Sequence, residues 1–287
     1  KAINPGLIYV EISGYGRTGP YRYRAGFDLV AQGASGLMSI TGPGQDDGPV
    51  KVGAPVTDIT AGILAAMGAA AAYAGKQKTG LGTRVDTSLF EAGITHTYWQ
   101  SAIALATGVS PQALGSAHPL NAPYQAFPTA DGYINIGAAN QRNWLRLLDV
   151  ISAPELNDDA RFSSNADRMA NLDELVDVLK GYFRQHTSEV WLEKLDQAGV
   201  PAGPILSIGE MLEHPQALAR DMVVQTDHER VGAVKGLGMA VKFHGTEPVA
   251  LRPPPTHGQH SHQVLAELGY SDSEIEAMYA RGVIHSA

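Results

Sequence analysis

Val52-Gly-Ala-Pro-Val-Thr-Asp58-Ile-Thr-Ala-Gly-Ile-Leu64 is the stretch whose reading decides the fold. A Gly/Pro-containing approach meets a run with no acid, base or proline. From Ile59 to Ala74 every residue is apolar, Gly, Thr or Tyr, and six of the eight positions from Ala65 to Ala72 are alanine. Alanine is the strongest helix former and its small side chain allows close approach, so the run predicts a fully buried helix. Asp58 then falls at the N-cap or in the first turn, beside unpaired backbone N–H groups and the positive end of the helix dipole. The plain reading of such an aspartate is a cap and nothing more. The other reading is a carboxylate held where an anion is favoured, and the flanking sequence bears on the choice.

On the C-terminal side, lysines at 76 and 78 and glycines at 75 and 80 close the helix. Thr83 to Ser88 alternates like a strand and runs into a helix from Leu89 to about Thr107. On the N-terminal side, Asn4-Pro5-Gly6 leads into a strand, Leu7 to Ser13, and a helical segment spans about Asp28 to Met38 before the loop Thr41 to Pro49. Strand, helix, strand, helix implies α/β layering with crossover connections. The chain meets a buried-looking strand almost at once, so a further segment is expected ahead of Lys1. Between strand and helix lies Gly14-Tyr-Gly-Arg-Thr-Gly-Pro-Tyr-Arg-Tyr-Arg24, with Arg17, Arg22 and Arg24 offset nearby only by Glu11. Glycines let a backbone approach a phosphate and guanidinium forks pair with its oxygens. The loop matches neither GxGxxG nor a P-loop, and a solvated loop with scattered arginines is the alternative.

From Gly108 to Asn121 the texture becomes loop. Tyr124 to Phe127, a turn at Asp131-Gly132, and Tyr133 to Gly137 predict a β-hairpin. Helices follow over Gln141–Val150, Leu172–Arg184 and Ser188–Ala198, the last with a capped start at Thr187. Gly199 to Pro204 breaks the pattern and ends a small second domain. Strand pieces near Met222–Thr226 and Met239–Phe243 and a helix over Gln259–Leu268 complete the chain, with extended linkers around 199–204 and 251–255. The expected organisation is a large α/β part carrying Asp58 (1–118), a small α+β domain (119–204), and a return linker with C-terminal helices packing on the large domain (205–287).

Composition removes whole classes. Zero cysteines among 287 residues exclude disulfides, thiol nucleophiles and Cys-based metal sites, and fit a cytoplasmic location. A formal charge of −8 argues against nucleic acid as the main partner. No apolar run reaches the roughly 20 residues of a membrane span undiluted by Gly or Ala, so no membrane association is expected. His257, His260 and His262 lie close together, but their spacing fits no zinc pattern and the expectation is no metal. His118, in Gly115-Ser-Ala-His-Pro-Leu-Asn121, sits in a loop that precedes the hairpin; it reads as an ordinary loop histidine or a general base.

Several segments together resemble the family III CoA-transferases. They are Ser13 to Pro20, Ala25-Gly-Phe-Asp-Leu-Val-Ala-Gln32, Ser35-Gly-Leu-Met-Ser-Ile-Thr-Gly42, Val56-Thr-Asp-Ile-Thr-Ala-Gly62, Val85-Asp-Thr-Ser-Leu-Phe-Glu91, Tyr124-Gln-Ala-Phe127, Pro253-Pro-Pro-Thr-His-Gly-Gln-His260 and Glu267-Leu-Gly-Tyr-Ser271. The resemblance runs from end to end and implies that an N-terminal part of a typical member precedes this sequence. It also implies a Rossmann-like large domain with a small α+β domain in an interlocked homodimer. In activity it implies transfer of CoA from an acyl-CoA to a small carboxylic acid, with Asp58 as nucleophile and no tightly bound cofactor. Arg17, Arg24, Phe27 and Gln32 fall on CoA-binding positions, while Gly115, His118, Asn121 and Asn140 fall on the substrate and lid region. A carboxylate of ordinary pKa, about 3.9, is already ionised at neutral pH and needs no general base. The Ser116-Ala-His-Pro119 variant is similar to members that use succinyl-CoA and dicarboxylates such as glutarate. The superfamily also includes α-methylacyl-CoA racemases, the alternative activity. Their proton-moving His would fall on Phe27 and their Glu on Asn140, and neither side chain here can move a proton.

Overall fold

The computed structural model describes residues 2–44, 48–245 and 252–285. Contacts divide the chain into two compact units, Lys1–Ile205 and Leu206–Ala287.

In the first unit, β1 (Tyr9–Ser13) pairs in parallel with β2 (Arg84–Ser88), in a register that sets Tyr9 opposite Arg84 and Ser13 opposite Ser88. Helix α1 (Asp28–Ala34) and a 3-10 turn (Leu37–Ile40) precede α2 (Val56–Thr79), the 24-residue alanine helix. Helix α2 packs on both strands, on α1, and on α3 (Leu89–Thr95). Gly68 makes the helix–sheet contact possible, because a Cβ there would lie 2.5 Å from Val85 Cγ1. The helix stops at Gly80, in the left-handed conformation at φ 71°, with its N–H donating to Lys76 O at 2.8 Å.

Two expectations need correction here. Helix α2 is not fully buried: only Thr57, Ala61 and Ala65 are, while Ile59, Ile63, Met67 and Tyr73 are each more than half exposed. A two-stranded sheet covers a single stripe of a helix, and an alanine-rich sequence does not record how many neighbours it was built for. By length and composition α2 could even cross a bilayer. Here it packs against β1 and β2, and the core helix of a folded domain passes the same test of length and composition. Second, the helix from Leu89 is broken at His96-Thr97 and resumes as α4 (Tyr98–Thr107), because the Thr97 hydroxyl donates back to Ile94 O at 2.8 Å.

The apolar core of this unit sits further along. Antiparallel β3 (Tyr124–Pro128), β4 (Tyr133–Gly137) and β5 (Ala202–Pro204) form one sheet, in the order β3-β4-β5. Against it pack α5 (Gln141–Ile151), α6 (Asn165–Ala170), α7 (Leu172–Phe183) and α8 (Ser188–Gln197), burying Phe127, Ile134, Trp144, Leu175, Phe183 and Trp191. Gly199 to Pro204 therefore contains a strand where an irregular break was expected. The Thr187 side chain makes no capping bond; Ser188 N–H donates instead to Asp131 Oδ1 of the hairpin turn at 2.8 Å.

The second unit holds α9 (Ile208–Glu213), α10 (Pro215–Ala219), a hairpin of β6 (Val223–His228) and β7 (Gly232–Leu237), α11 (Ser261–Glu267) and α12 (Asp272–Ala280). The strand expected at Met239–Phe243 is displaced to Gly232–Leu237, where Gly232 at φ 72° allows the tight return. Arg252 to Pro255 has no regular structure, and Leu251 lies outside the described residues.

Candidate active site

Asp58 occupies the third position of α2 and its side chain is exposed. Among the described residues no hydrogen bond or ion pair engages its carboxylate. The capping duty falls on another acid. Asp28 Oδ1, at the start of α1, accepts from Thr57 N–H at 3.0 Å and from Thr57 Oγ1–H at 2.9 Å, and Oδ2 accepts from Gln32 Nε2 at 2.7 Å. Burial alone would raise the Asp28 carboxyl. The donors from Thr57 and Gln32, with the charge of Lys51, outweigh it and hold the group below the usual carboxylate range. Asp28 thus satisfies the Thr57 N–H of the first turn of α2 from outside, and Asp58 stays uncommitted beside the helix dipole.

A continuous line of contacts ties this turn to the arginine loop. Phe90 N–H donates to Gly14 O at 3.1 Å, where β1 ends. Gly14 and Gly26 touch through their backbones, and a Cβ on Gly26 would lie 2.6 Å from Gly14 Cα. Phe27, 76% exposed, and Asp28 follow directly. The loop, the start of α1 and the start of α2 therefore gather at the C-terminal ends of two parallel strands, the end of an open α/β sheet where ligands bind.

Within the loop the arginines differ. Arg17 Nε pairs with Glu11, whose other oxygen takes Arg84 at 2.7 Å. Burial works against the Glu11 charge, but the two guanidinium groups prevail and hold its carboxyl low. Arg22 donates to Gly19 O at 3.3 Å and lies over Tyr23. Arg24 stacks 3.7 Å above the Tyr21 ring with no acid partner among the described residues, which leaves its fork open to a phosphate. Gln32 is fully buried with both amide ends in use, its Oε1 accepting from Val52 N–H at 2.9 Å, so it braces the approach to α2.

Of the remaining positions, Gly115 adopts φ 61° and donates to Gly42 O at 2.8 Å, fastening its loop to the segment between α1 and α2. His118 and Asn121 touch through Nδ1 and Nδ2 at 3.3 Å. Asn140 caps α5, accepting from Asn143 N–H at 2.8 Å. Two neighbours of the α2 start were not singled out from sequence. His96 Nε2 lies 2.7 Å from Thr60 Oγ1, two residues past Asp58 in the chain, and Asp28 was passed over although an acid opening a helix was visible. His262 Nε2 lies 3.4 Å from Asp272 Oδ1, and among the described residues no group of three or more His, Cys, Asp or Glu is placed to hold a metal. Asp58 does not line the cavity of about 430 Å³ beside His260 or the one of about 370 Å³ beside Leu192.

Fold and site together define an α/β protein with a free helix-start carboxylate and an arginine-bearing loop at one sheet end. The sequence model of CoA-transferase family III matches residues 1–261, and the chain belongs to that family. It is 36% identical over 283 residues to the succinyl-CoA:glutarate CoA-transferase of Mus musculus, covering 98% of this chain and 65% of that protein. The Homo sapiens protein of the same name is also 36% identical, with 98% and 64% covered. The chain thus spans just under two thirds of the length of these relatives. Among solved structures, a CaiB/BaiF family protein from Brucella suis superposes with a TM-score of 0.78 at 35% identity, covering 93% of this chain and 69% of that one.

Proposed function

We propose that this protein moves CoA from an acyl-CoA thioester to a carboxylic acid, with Asp58 as the nucleophile. The observation that carries the reading is the division of labour between two aspartates: Asp28 caps α2 at Thr57, and Asp58, the next residue, keeps a carboxylate with no partner among the described residues. In the reaction the Asp58 oxygen attacks the thioester carbonyl, the C–S bond breaks, and CoA thiolate leaves a mixed anhydride behind. Thiolate then attacks the aspartyl carbonyl and releases the donor acid, forming an aspartyl–CoA thioester. The acceptor carboxylate attacks that carbonyl in turn, and thiolate returns to the acceptor acyl group, restoring Asp58. No net proton moves, so a lone ionised carboxylate suffices. Donors at the first turn of α2 favour each oxyanion.

The names of the mouse and human relatives support succinyl-CoA as donor and a dicarboxylate as acceptor. We also infer a homodimer, supported by the exposed apolar residues of α2 and β1, which a lone chain leaves in water. A racemase needs two opposed proton carriers, and exposed Phe27 and the helix cap Asn140 supply neither. The test is Asp58→Asn, assayed with succinyl-CoA and a panel of acids by mass spectrometry of the thioesters. Loss of exchange with CoA-ester binding intact is the expected result; near-normal turnover would end the proposal.

A further inference from the structure

The loop from Gly115 to Ala122 is fastened at both ends. Gly115 N–H holds Gly42 O at 2.8 Å, and Ser116 Oγ accepts from Ala126 N–H at 3.0 Å. At its other end α6 takes hold: Asn165 Nδ2 donates to Leu120 O at 3.0 Å, Asn165 Oδ1 accepts from Ala122 N–H at 3.1 Å, and Arg168 Nε donates to Ala122 O at 2.7 Å. Between these anchors sits His118, whose own N–H donates to Tyr124 O at 3.0 Å. Its ring stacks on Tyr124, centroids 5.1 Å apart and planes 16° apart, and tilts against Trp99 of α4 at 5.2 Å.

The hydrogen bonds decide the ring's chemistry. Leu120 N–H lies 3.0 Å from His118 Nδ1, and a backbone N–H can only donate, so Nδ1 is an acceptor. The neutral ring then carries its proton on Nε2. Burial between the two aromatic faces depresses the ring's basicity, which keeps it neutral. Nε2 has no partner among the described residues, and it is not one of the buried unpartnered atoms, which are Trp144 Nε1 and Arg168 Nη2. His118 therefore offers a single, oriented N–H donor to whatever enters beside the loop, and it is built to donate rather than to accept a proton. The route to Asp58 is indirect. Trp99, which the ring meets, lies one turn beyond His96, and His96 is bonded to Thr60 of α2. A donor that is not among the contacts of Asp58 suits the part of an acyl group distant from the reacting carbonyl, and flanking aromatic faces suit a methylene chain.

We propose that His118 reads the far carboxylate of a dicarboxylate acceptor through Nε2–H, and so selects diacids over monoacids of the same length. The proposal rests on the CoA-transfer reading above. Its test compares glutarate with pentanoate, five-carbon acids that differ only at the far end. His118→Ala should raise KM for glutarate relative to that for pentanoate about tenfold or more, the size expected for a hydrogen bond to a charged group. His118→Gln keeps an N–H donor at similar reach and should recover part of the loss. A second readout needs no turnover. Ring ¹⁵N spectra of the histidine-labelled protein should show His118 protonated at Nε2, and glutarate, not pentanoate, should shift that nitrogen. Protonation at Nδ1, or a KM ratio of the two acids unaltered by His118→Ala, would overturn the proposal. If wild-type protein transfers no CoA at all, the functional reading fails, and the spectra still decide the role of His118.

Discussion

Asp28→Asn tests the arrangement that leaves Asp58 free. In the native site Oδ1 takes both donors of Thr57 and Oδ2 takes Gln32 Nε2, while Gln32 Oε1 is held by Val52 N–H. Asparagine can keep an oxygen toward Thr57, but its Nδ2 then faces Gln32 Nε2, donor against donor. Turning the Gln32 amide over relieves that clash and creates another, since its Nε2 would meet Val52 N–H. One buried donor is left unpaired whichever way the amides turn, at a cost of about 1–3 kcal/mol, and loss of the negative charge near the start of α2 removes about 0.3–1 kcal/mol more. A local loss of about 1–4 kcal/mol is expected. Amide hydrogen exchange read by mass spectrometry should report it as roughly a tenfold or larger rise in exchange at Thr57, with urea unfolding showing a matching fall in stability. The pH dependence has a definite sign. The folded Asp28 carboxyl titrates below its ordinary value of 3.8, so its stabilisation is fully present above that value and is lost as pH falls through the folded pKa. The gap between wild type and Asp28→Asn should accordingly close below pH 3.8. Unchanged exchange at Thr57, or a gap that persists in acid, would refute the capping role.

Arg168 is fully buried and donates to Ala122 O, Gln141 Oε1 and Phe162 O, with its guanidinium 4.9 Å from the Trp144 ring. Arg168→Met should strand those acceptors and cost about 2–4 kcal/mol in urea unfolding, and exchange at Ala122 should rise because the His118 loop loses an anchor. A neutral or stabilising effect would show that the buried charge costs as much as its bonds return. Light scattering should give twice the chain mass in solution; a monomer would remove the homodimer from the reading.

The elements that were legible in the sequence are those whose signal is local. The hairpin of β3 and β4 announced itself by alternation and by Asp131-Gly132, and α5, α7 and α8 by apolar periodicity. What escaped were features settled between distant residues. Helix α2 is capped by Asp28 and α8 by Asp131, each supplied by another element, so rules that look for a cap just before the helix point to the wrong side chain. The exposure of α2 was unreadable for a related reason: Ile63 and Met67 carry no record of which surface was to cover them. Glu11 was visible as the one acid near the arginine loop, but its pairing with Arg17 and Arg84 together was not, since the three lie on different elements. The break at Thr97 depends on one hydroxyl turning to Ile94 O, a competition that helix propensity does not weigh.

The same separation of roles is what the proposed chemistry requires of a helix start. An N-terminal turn draws anions because its N–H groups lack partners, and the nearest acid ordinarily spends itself satisfying them. A capping carboxylate is a poor nucleophile, since its oxygens are held by the bonds that give it stability. Here the cap comes from α1, through an aspartate that Gln32 and Thr57 hold in place, so the Thr57 N–H is satisfied without Asp58. Asp58 keeps the benefit of the dipole without the bonds that would tie it down. The arrangement predicts that Asp28 and Asp58 are not interchangeable. Loss of Asp28 should loosen α2 and leave a carboxylate still able to attack, whereas Asp58→Asn should cost α2 only the about 0.3–1 kcal/mol of its own charge at the dipole and abolish transfer. If Asp58→Asn instead destabilised α2 as Asp28→Asn does, Asp58 would be acting as the cap, and the case for it as nucleophile would be lost.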